Sequence, residues 1–326
     1  MHILVLGAAG MVGRKLTERL LRDGRLGKGD ITRMTLQDVV APAAAKAGFP
    51  IDTVTGDFAV AGFAEKLVAD RPDVVFHLAA IVSGEAELDF DKGYRINLDG
   101  TRMLLDAIRL AGGGYKPRVV FTSSIAVFGA PFPESIPDDF HLTPLTSYGA
   151  QKAIGEALLA DYTRRGFCDG VGIRLPSIVV RPGKPNKAAS GFFSGIIREP
   201  LAGVEAALPV SETIVHTHAS PRAAIGFLMH AAGLARDALG ARINLSMPGV
   251  CCTVAEQIAS LRRIGGERVA ARIRRAHDPL VARIVDGWPQ RIEARRAREL
   301  GFKAESSFDE IVRIHIDEDR GGTFVD

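Results

Sequence analysis

The chain reads as an α/β protein: a Rossmann-type doubly wound parallel sheet with helices on both faces and a smaller C-terminal substrate lobe. Three observations predict it. Through the first half, short β-branched apolar runs alternate with longer segments of 3.6-residue periodicity. The first apolar run passes straight into a glycine-rich turn that opens a helix, G7-A-A-G-M-V-G13. After about Arg181 the alternation stops, and R181-P-G-K-P-N-K-A-A-S-G191, full of Pro, Gly and Lys, marks a loop.

Taken in order, Ile3 to Leu6, Met34 to Val39, Val74 to Leu78, Val119 to Thr122 and Val171 to Leu175 are predicted as buried strands. Met11 to Arg22, Phe63 to Asp70, Tyr94 to Ala111 and Ser147 to Arg165 carry the helical period. Strand and helix in turn imply a parallel sheet, because each helix must cross back over the sheet before the next strand begins. A boundary near residue 180 is expected, giving a first domain of residues 1–180 and a lobe of residues 181–326. The segment Ile214 to Ala232 is expected to return to the first domain.

The 326 residues suffice for a large core, and 47% hydrophobic with 24% charged residues is an ordinary globular balance. Lysine plus arginine less aspartate plus glutamate is 41 − 38, or +3, too small a surplus for a nucleic-acid partner. The Arg-rich stretch from Arg262 to Arg298 is interleaved with Glu267, Asp278, Asp286, Glu293 and Glu299, so a solvated amphipathic face is expected there. Trp288, next to Pro289, is expected to anchor a loop. Cys168, Cys251 and Cys252 have neither metal-ligand spacing nor a disulfide framework, so no metal is expected, and a reducing compartment fits. The N-terminus lacks the basic region of a signal peptide, and no run approaches the ~20 apolar residues of a membrane span. The expectation is a cytoplasmic protein with a small-molecule partner and no membrane association.

In G7-A-A-G-M-V-G13, Gly7 permits the tight turn, Gly10 lets the backbone approach a pyrophosphate, and Gly13 lets helix pack on strand. The helix start offers free N–H groups to phosphate. A turn needed only for packing would also carry glycines, but the position straight after the first strand is the context a dinucleotide site requires. Asp38 ends the second strand, where a carboxylate accepts hydrogen bonds from both ribose hydroxyls and repels a 2′-phosphate, pointing to NAD rather than NADP. An aspartate opening a surface turn is the plainer alternative. G56-D57 and H77-L78-A79-A80 end the next two strands; Asp57 could bond the adenine amino group, and Ala79 and Ala80 would let the cofactor lie flat. The cofactor set is therefore Gly7, Ala9, Gly10, Met11, Val12, Gly13, Asp38, Asp57, Leu78, Ala79 and Ala80, joined by Tyr148, Lys152 and Leu175.

Tyr148 and Lys152 are four apart at the start of a helix, which puts phenol and ammonium on one face. A phenol of pKa about 10 is a poor base at neutral pH, but a nearby ammonium favours the phenolate. F121-T-S-S124 ends the preceding strand, so Ser124 lies where doubly wound sheets bind ligands. Singly, such residues are a solvated helix face and a strand-end cap. Together they suit proton removal from an alcohol held by Ser124, with hydride leaving the same carbon.

G7-A-A-G-M-V-G13, H77-L-A-A80, N97-L-D-G-T101, F121-T-S-S-I-A-V-F-G129 and Y148-G-A-Q-K152 together resemble the extended short-chain dehydrogenase/reductases, the NAD-dependent epimerase/dehydratase family. The resemblance implies NAD as cofactor, Ser124, Tyr148 and Lys152 as the catalytic set, and Asn97 propping the lysine through a water. It also implies a homodimer formed through the helices that contain Asn97 and Tyr148. R181-P-G-K-P-N-K-A-A-S-G191, R198-E-P-L201 and H216-T-H-A-S-P-R222 resemble the branch that oxidises the four-carbon sugar acid D-erythronate at C2. A sugar-acid carboxylate needs cationic or amide donors, and Lys184, Asn186, Lys187, Ser190 and Arg222 supply them; Ser83, Ser124, Tyr148 and Arg181 complete the expected substrate set. H216-T-H218 stands where many relatives carry an aspartate, and His218 is read as a core or supporting histidine. Two other functions compete: a nucleotide-sugar epimerase or dehydratase with tightly bound NAD, and a noncatalytic NAD-binding protein.

Overall fold

The computed structural model describes residues 1–43, 46–183 and 190–325. Two compact units emerge. The first comprises Met1–Val127, Thr146–Arg174 and Ile225–Leu245; the second comprises Phe128–Leu145, Leu175–Ala224 and Ser246–Asp326.

The first unit is built on strands β1 (His2–Leu6), β2 (Arg33–Asp38), β3 (Ile51–Thr55), β4 (Val74–His77), β5 (Arg118–Ser124) and β6 (Asp169–Leu175). A late strand, Asn244–Ser246, completes a seven-stranded sheet in the order β3–β2–β1–β4–β5–β6 and then that strand. Helices α1 (Met11–Asp23), α2 (Phe63–Val68), α3 (Ser83–Leu88), α4 (Phe90–Gly93), α5 (Gly100–Leu110) and α6 (Ser147–Arg164) connect the strands. β1 pairs in parallel with β2 and β4, β2 with β3, and β4 with β5. Leu6 therefore stands opposite both Gln37 and His77, so these strands end at one edge. Strand order reverses between β1 and β4, which opens a crevice above their C-terminal ends.

β1 is central and wholly buried, which explains why it reads as an unbroken apolar run rather than an alternating one. Glycine sets how closely helices approach the sheet. A Cβ on Gly13 would fall 2.1 Å from the Gly7 carbonyl oxygen, and one on Gly155 would fall 2.8 Å from Cζ of Phe121, so α6 lies directly on β5. The segment expected as one helix from Tyr94 opens instead with a π-helical stretch, Tyr94–Asp99, before α5 begins. Apolar period alone does not separate the two forms.

The second unit has its own core, centred on Phe193, Ile196, Ile197, Leu201, Val254, Leu261, Ile311 and Val312. Val215–Ala219 runs antiparallel to Val250–Thr253 and parallel to Ser177–Ile178. Phe128–Leu145 belongs to this unit: Ile136 bridges Ile292, and Asp138 accepts from the Arg296 N–H at 2.8 Å. The helix Pro221–Gly233 carries the chain back to the first unit, and the returning residues are Ile225–Leu245. In the Arg-rich stretch, Arg262 pairs with Glu267 and Arg274 with Glu205 at exposed positions, while Trp288 packs on the core. Among the described residues no helix is long and apolar enough to cross a membrane.

Gly155 and Gly226 both lie within helices but differ in surroundings, since nothing lies within 4 Å of a Cβ built on Gly226. Gly155→Ala should lower the thermal unfolding midpoint, costing about 1–3 kcal/mol through overpacking. Gly226→Ala should raise it slightly, by up to ~1 kcal/mol of helix propensity. Calorimetry of the two variants checks the contrast.

Candidate active site

At the nucleotide end, Gly7 adopts φ +86°, a left-handed conformation, and a Cβ there would lie 2.7 Å from the Ala79 nitrogen. Its N–H and that of Ala8 donate to the Gln37 carbonyl at 2.9 and 3.0 Å, which seats the turn on the end of β2. A Cβ on Gly10 would meet only the Gly7 carbonyl oxygen, at 3.3 Å. Gly10 caps α1 without a side chain and no acidic residue stands in the first turn, so the positive end of the helix is left to an anion. Asp38 is half-buried and fixed: Oδ2 accepts from the Ala9 N–H at 2.9 Å and Oδ1 from the Val40 N–H at 3.2 Å. Each carboxylate oxygen retains a further lone pair, so the group can still accept ribose hydroxyls. Bare glycine backbone, an open helix start and a fixed carboxylate together fit NAD.

Asp57 caps the turn after β3 by accepting from the Ala59 N–H at 2.9 Å, and its Oδ2 pairs with Arg95 at 2.6 Å. Leu78, Ala79 and Ala80 are half-buried beyond β4, with the Leu78 N–H donating to Leu6 at 3.0 Å.

At the chemical end, Thr146 caps α6 by accepting from the Gly149 N–H at 3.1 Å, which fixes where Tyr148 enters the helix. Tyr148 is half-buried, whereas Lys152 is 2% exposed. The Lys152 ammonium donates to the Thr122 carbonyl at 2.8 Å and lies 4.8 Å from the centre of the Phe121 ring and 5.7 Å from that of Tyr148. Ser124, at the end of β5, accepts from the Ala126 N–H at 3.1 Å, a bond that does not use its hydroxyl hydrogen. Burial pulls the Lys152 pKa down to about 8, and the Glu156 carboxylate one turn further along α6 works against that fall. Glu156 is held by Arg174 through contacts of 2.9, 3.1 and 2.7 Å, and by the Ser123 hydroxyl at 2.5 Å.

Asn97 is buried in the π-helical stretch. Its Oδ1 accepts from the Ile81 N–H at 2.9 Å, and its Nδ2 donates to the Ile81 carbonyl at 3.2 Å and to Gln151 Oε1 at 2.7 Å. The side chain thus fastens the loop after β4 to the residue beside Lys152. Its own carbonyl accepts from Thr101 Oγ1 at 2.7 Å, so that hydroxyl must accept from His77 Nε2 at 2.9 Å. His77 is accordingly the Nε2–H tautomer, and burial, with Lys152 nearby, drives its pKa down to about 3.

The expected substrate residues sit in both units. Ser83 opens α3 in the first; Leu175, expected at the cofactor, ends β6 and is counted with the second unit. In the second, Arg181 donates to the Ile178 carbonyl and to Ser190 Oγ, each at 2.9 Å. Arg222, with half its side chain exposed, is paired with Glu318 at 2.7 Å. Asn186 and Lys187, with Lys184, lie outside the described residues. His218 is wholly buried among aromatic rings, where it meets Gln257 at 2.8 Å; burial holds its pKa well below the usual histidine range. Among the described residues no cluster of metal-ligating side chains occurs. Sequence reading passed over Gln151, Glu156, Arg174 and Ser123. The spacing Tyr148, Lys152, Glu156 along one helix face was a signal for Glu156.

Comparison with known proteins finds that residues 3–218 match the NAD dependent epimerase/dehydratase family. The chain is 46% identical to a D-erythronate dehydrogenase of Cupriavidus necator, over 98% of each chain. It is 38% identical to a D-erythronate dehydrogenase of Haemophilus influenzae, over 98% of this chain and all of that one. A crystal structure of a nucleoside-diphosphate-sugar epimerase from Agrobacterium tumefaciens superposes with a TM-score of 0.97 at 63% identity, covering 99% of this chain and 95% of the other.

Lysine whose folded pKa is about 8 and unfolded value 10.5 binds fewer protons folded than unfolded between those limits, so its contribution to stability improves as pH rises through the window. Below pH 8 the penalty is fully present, at most ~3 kcal/mol for a shift of this size. Lys152→Met removes it together with the hydrogen bond to the Thr122 carbonyl, a pH-independent offset of about 1 kcal/mol. The stability of K152M relative to the parent should therefore fall as pH rises from 7.5 to 10; denaturant titrations with a difference flat across that range would contradict the buried ammonium.

Proposed function

Since the chain belongs to the NAD-dependent epimerase/dehydratase family, we propose that it oxidises D-erythronate to 2-oxo-D-erythronate, with Tyr148 as the base and NAD as the oxidant. One observation carries the catalytic part of this reading: a buried ammonium, Lys152, lies beside the Tyr148 ring and is held by the end of the strand that presents Ser124. The choice of sugar acid is supported by the end-to-end similarity to two D-erythronate dehydrogenases.

NAD, when bound, supplies the acceptor for the hydride that leaves C2. The turn from Gly7 to Gly13 and the start of α1 would hold its pyrophosphate, and Asp38 its ribose hydroxyls. The Lys152 charge favours the phenolate of Tyr148, which takes the proton of the C2 hydroxyl. Ser124 hydrogen-bonds the substrate oxygen and keeps it in reach of that phenolate. Asn97 and Gln151 hold the loop after β4 against α6, so the base does not drift. In this reading the first unit is the NAD-binding domain and the second the substrate lobe. A homodimer through α6 and the helical segment that runs from Asn97 into α5 is part of the same proposal, and Leu110 and Ile154 leave apolar surface on those helices.

The similarity to a nucleoside-diphosphate-sugar epimerase favours a second reading, in which a nucleotide sugar is epimerised with no net change in the cofactor. Absorbance at the NADH band separates the two. With NAD, D-erythronate should give sustained NADH formation, and UDP-sugars should give no epimer; the reverse pattern selects the epimerase.

Tyr148→Phe should lower turnover by about 10²–10⁴-fold, the worth of a positioned base, while NAD still binds and its affinity, measured by calorimetry, falls far less than turnover. A variant retaining most of its turnover removes Tyr148 from that role. Asp38→Ala should weaken NAD more than NADP, as read from the two dissociation constants, because only the unphosphorylated ribose makes bonds to the carboxylate.

A further inference from the structure

We propose that the buried Glu156–Arg174 ion pair is a second electrostatic layer of the site, in which Glu156 holds the Lys152 ammonium charged against its own burial and Arg174 limits how strongly it does so. This rests on the role given to Lys152 under the proposed function, and makes Glu156 and Arg174 positioning residues that act through the lysine.

Geometry gives the pair this reach. Lys152 and Glu156 are four apart on α6, both about 2% exposed or less, so no solvent screens one from the other. Arg174, on β6, meets the Glu156 carboxylate with two of its nitrogens, and its side chain is only 9% exposed. Ser123 spends its hydroxyl on the same carboxylate, while its neighbour Ser124 ends the strand at the reacting position. Around Lys152, the other facing groups are the Thr122 carbonyl and Phe121 ring from β5, the Tyr148 ring from α6, and His77 on β4. His77 is neutral, the carbonyl and the Phe121 ring carry no net charge, and Tyr148 is the group whose proton the ammonium loosens. Glu156 is thus the one carboxylate among these named neighbours. Pairing alone does not account for placing it there, because a buried ion pair is weak evidence of stabilisation; well-packed apolar residues often do as well.

A purely structural pair and an electrostatic layer differ in sign. Removing the carboxylate should make Lys152 lose its proton at lower pH, while removing the guanidinium leaves the carboxylate uncompensated and should make the lysine hold its proton to higher pH. The measurement is the pH titration of the Lys152 signal in protein labelled with ¹³C at lysine Cε, without NAD or substrate, the resonance being identified by its loss in K152M. Glu156→Gln should move the midpoint down, and Arg174→Met should move it up, each by about one unit, at the lower end of the effect of a charge at this range. Ser123→Ala, which removes only a hydroxyl, should move it up by less and keeps the question decidable if either charge variant does not fold.

Midpoints that stay put, or shift in the same direction in both charge variants, overturn the proposal; so does an unmoved midpoint in S123A where neither charge variant folds. The pH dependence of kcat/KM with D-erythronate is the companion readout, and its alkaline limb should follow the same order: lowest for E156Q, then the parent, then R174M. A Tyr148→Phe variant that remained active would sink the base assignment while leaving the lysine titration intact, so the two failures are distinguishable.

Discussion

A single buried ammonium governs this protein. Lys152 has left water for a site among Phe121, Tyr148 and the end of β5, and a lone charge there is costly. What makes it tolerable is local: a carbonyl at hydrogen-bond distance, the π-faces of two aromatic rings, and a carboxylate one turn along the same helix. The small residue Gly155, between Lys152 and Glu156, lets that helix settle onto the strand. A Cβ there would press on the Phe121 ring, the same ring that the ammonium faces. Close packing and charge burial are thus the same event.

The surrounding polar network follows from that constraint. Asn97, Gln151, Thr101 and His77 form bonds whose directions are fixed by donor and acceptor counts, and they join β4, the π-helical stretch and α6. Buried polar groups left unpaired would be penalised, so such a network holds its members in one arrangement. The π-helical geometry at Tyr94–Asp99 sits where Asn97 must reach both Ile81 and Gln151. π-bulges inside helices are frequent at functional positions.

At the other end of the crevice the logic is backbone rather than side chain. Gly7 and Gly13 let the turn and the helix pack close, Gly10 leaves the helix start bare, and Asp38 is pinned by the Ala9 N–H of the same turn. The second unit contrasts with this. Its two strand histidines, His216 and His218, are neutral members of an aromatic cluster with Phe193, Trp288 and Phe308, and their burial suits packing rather than proton transfer.

Short-range spacing carried the glycine turn, the five strands read as apolar runs, and the Tyr148–Lys152 pair, because each depends on residues within one turn or one strand of each other. The NAD-binding character followed from order along the chain: strand, glycines, helix, then an acid at the next strand end. Tertiary structure alone decided what lies far apart in sequence. Arg174 meets Glu156 only because β6 lies beside β5 in the sheet, Asp57 meets Arg95 across the end of β3, and Phe128–Leu145 joins the second unit although nothing in its periodicity marks the crossing. Periodicity reports which face of an element is buried; it does not report which partner waits there, and only the fold sets Arg174 against the Glu156 that stands one turn from Lys152.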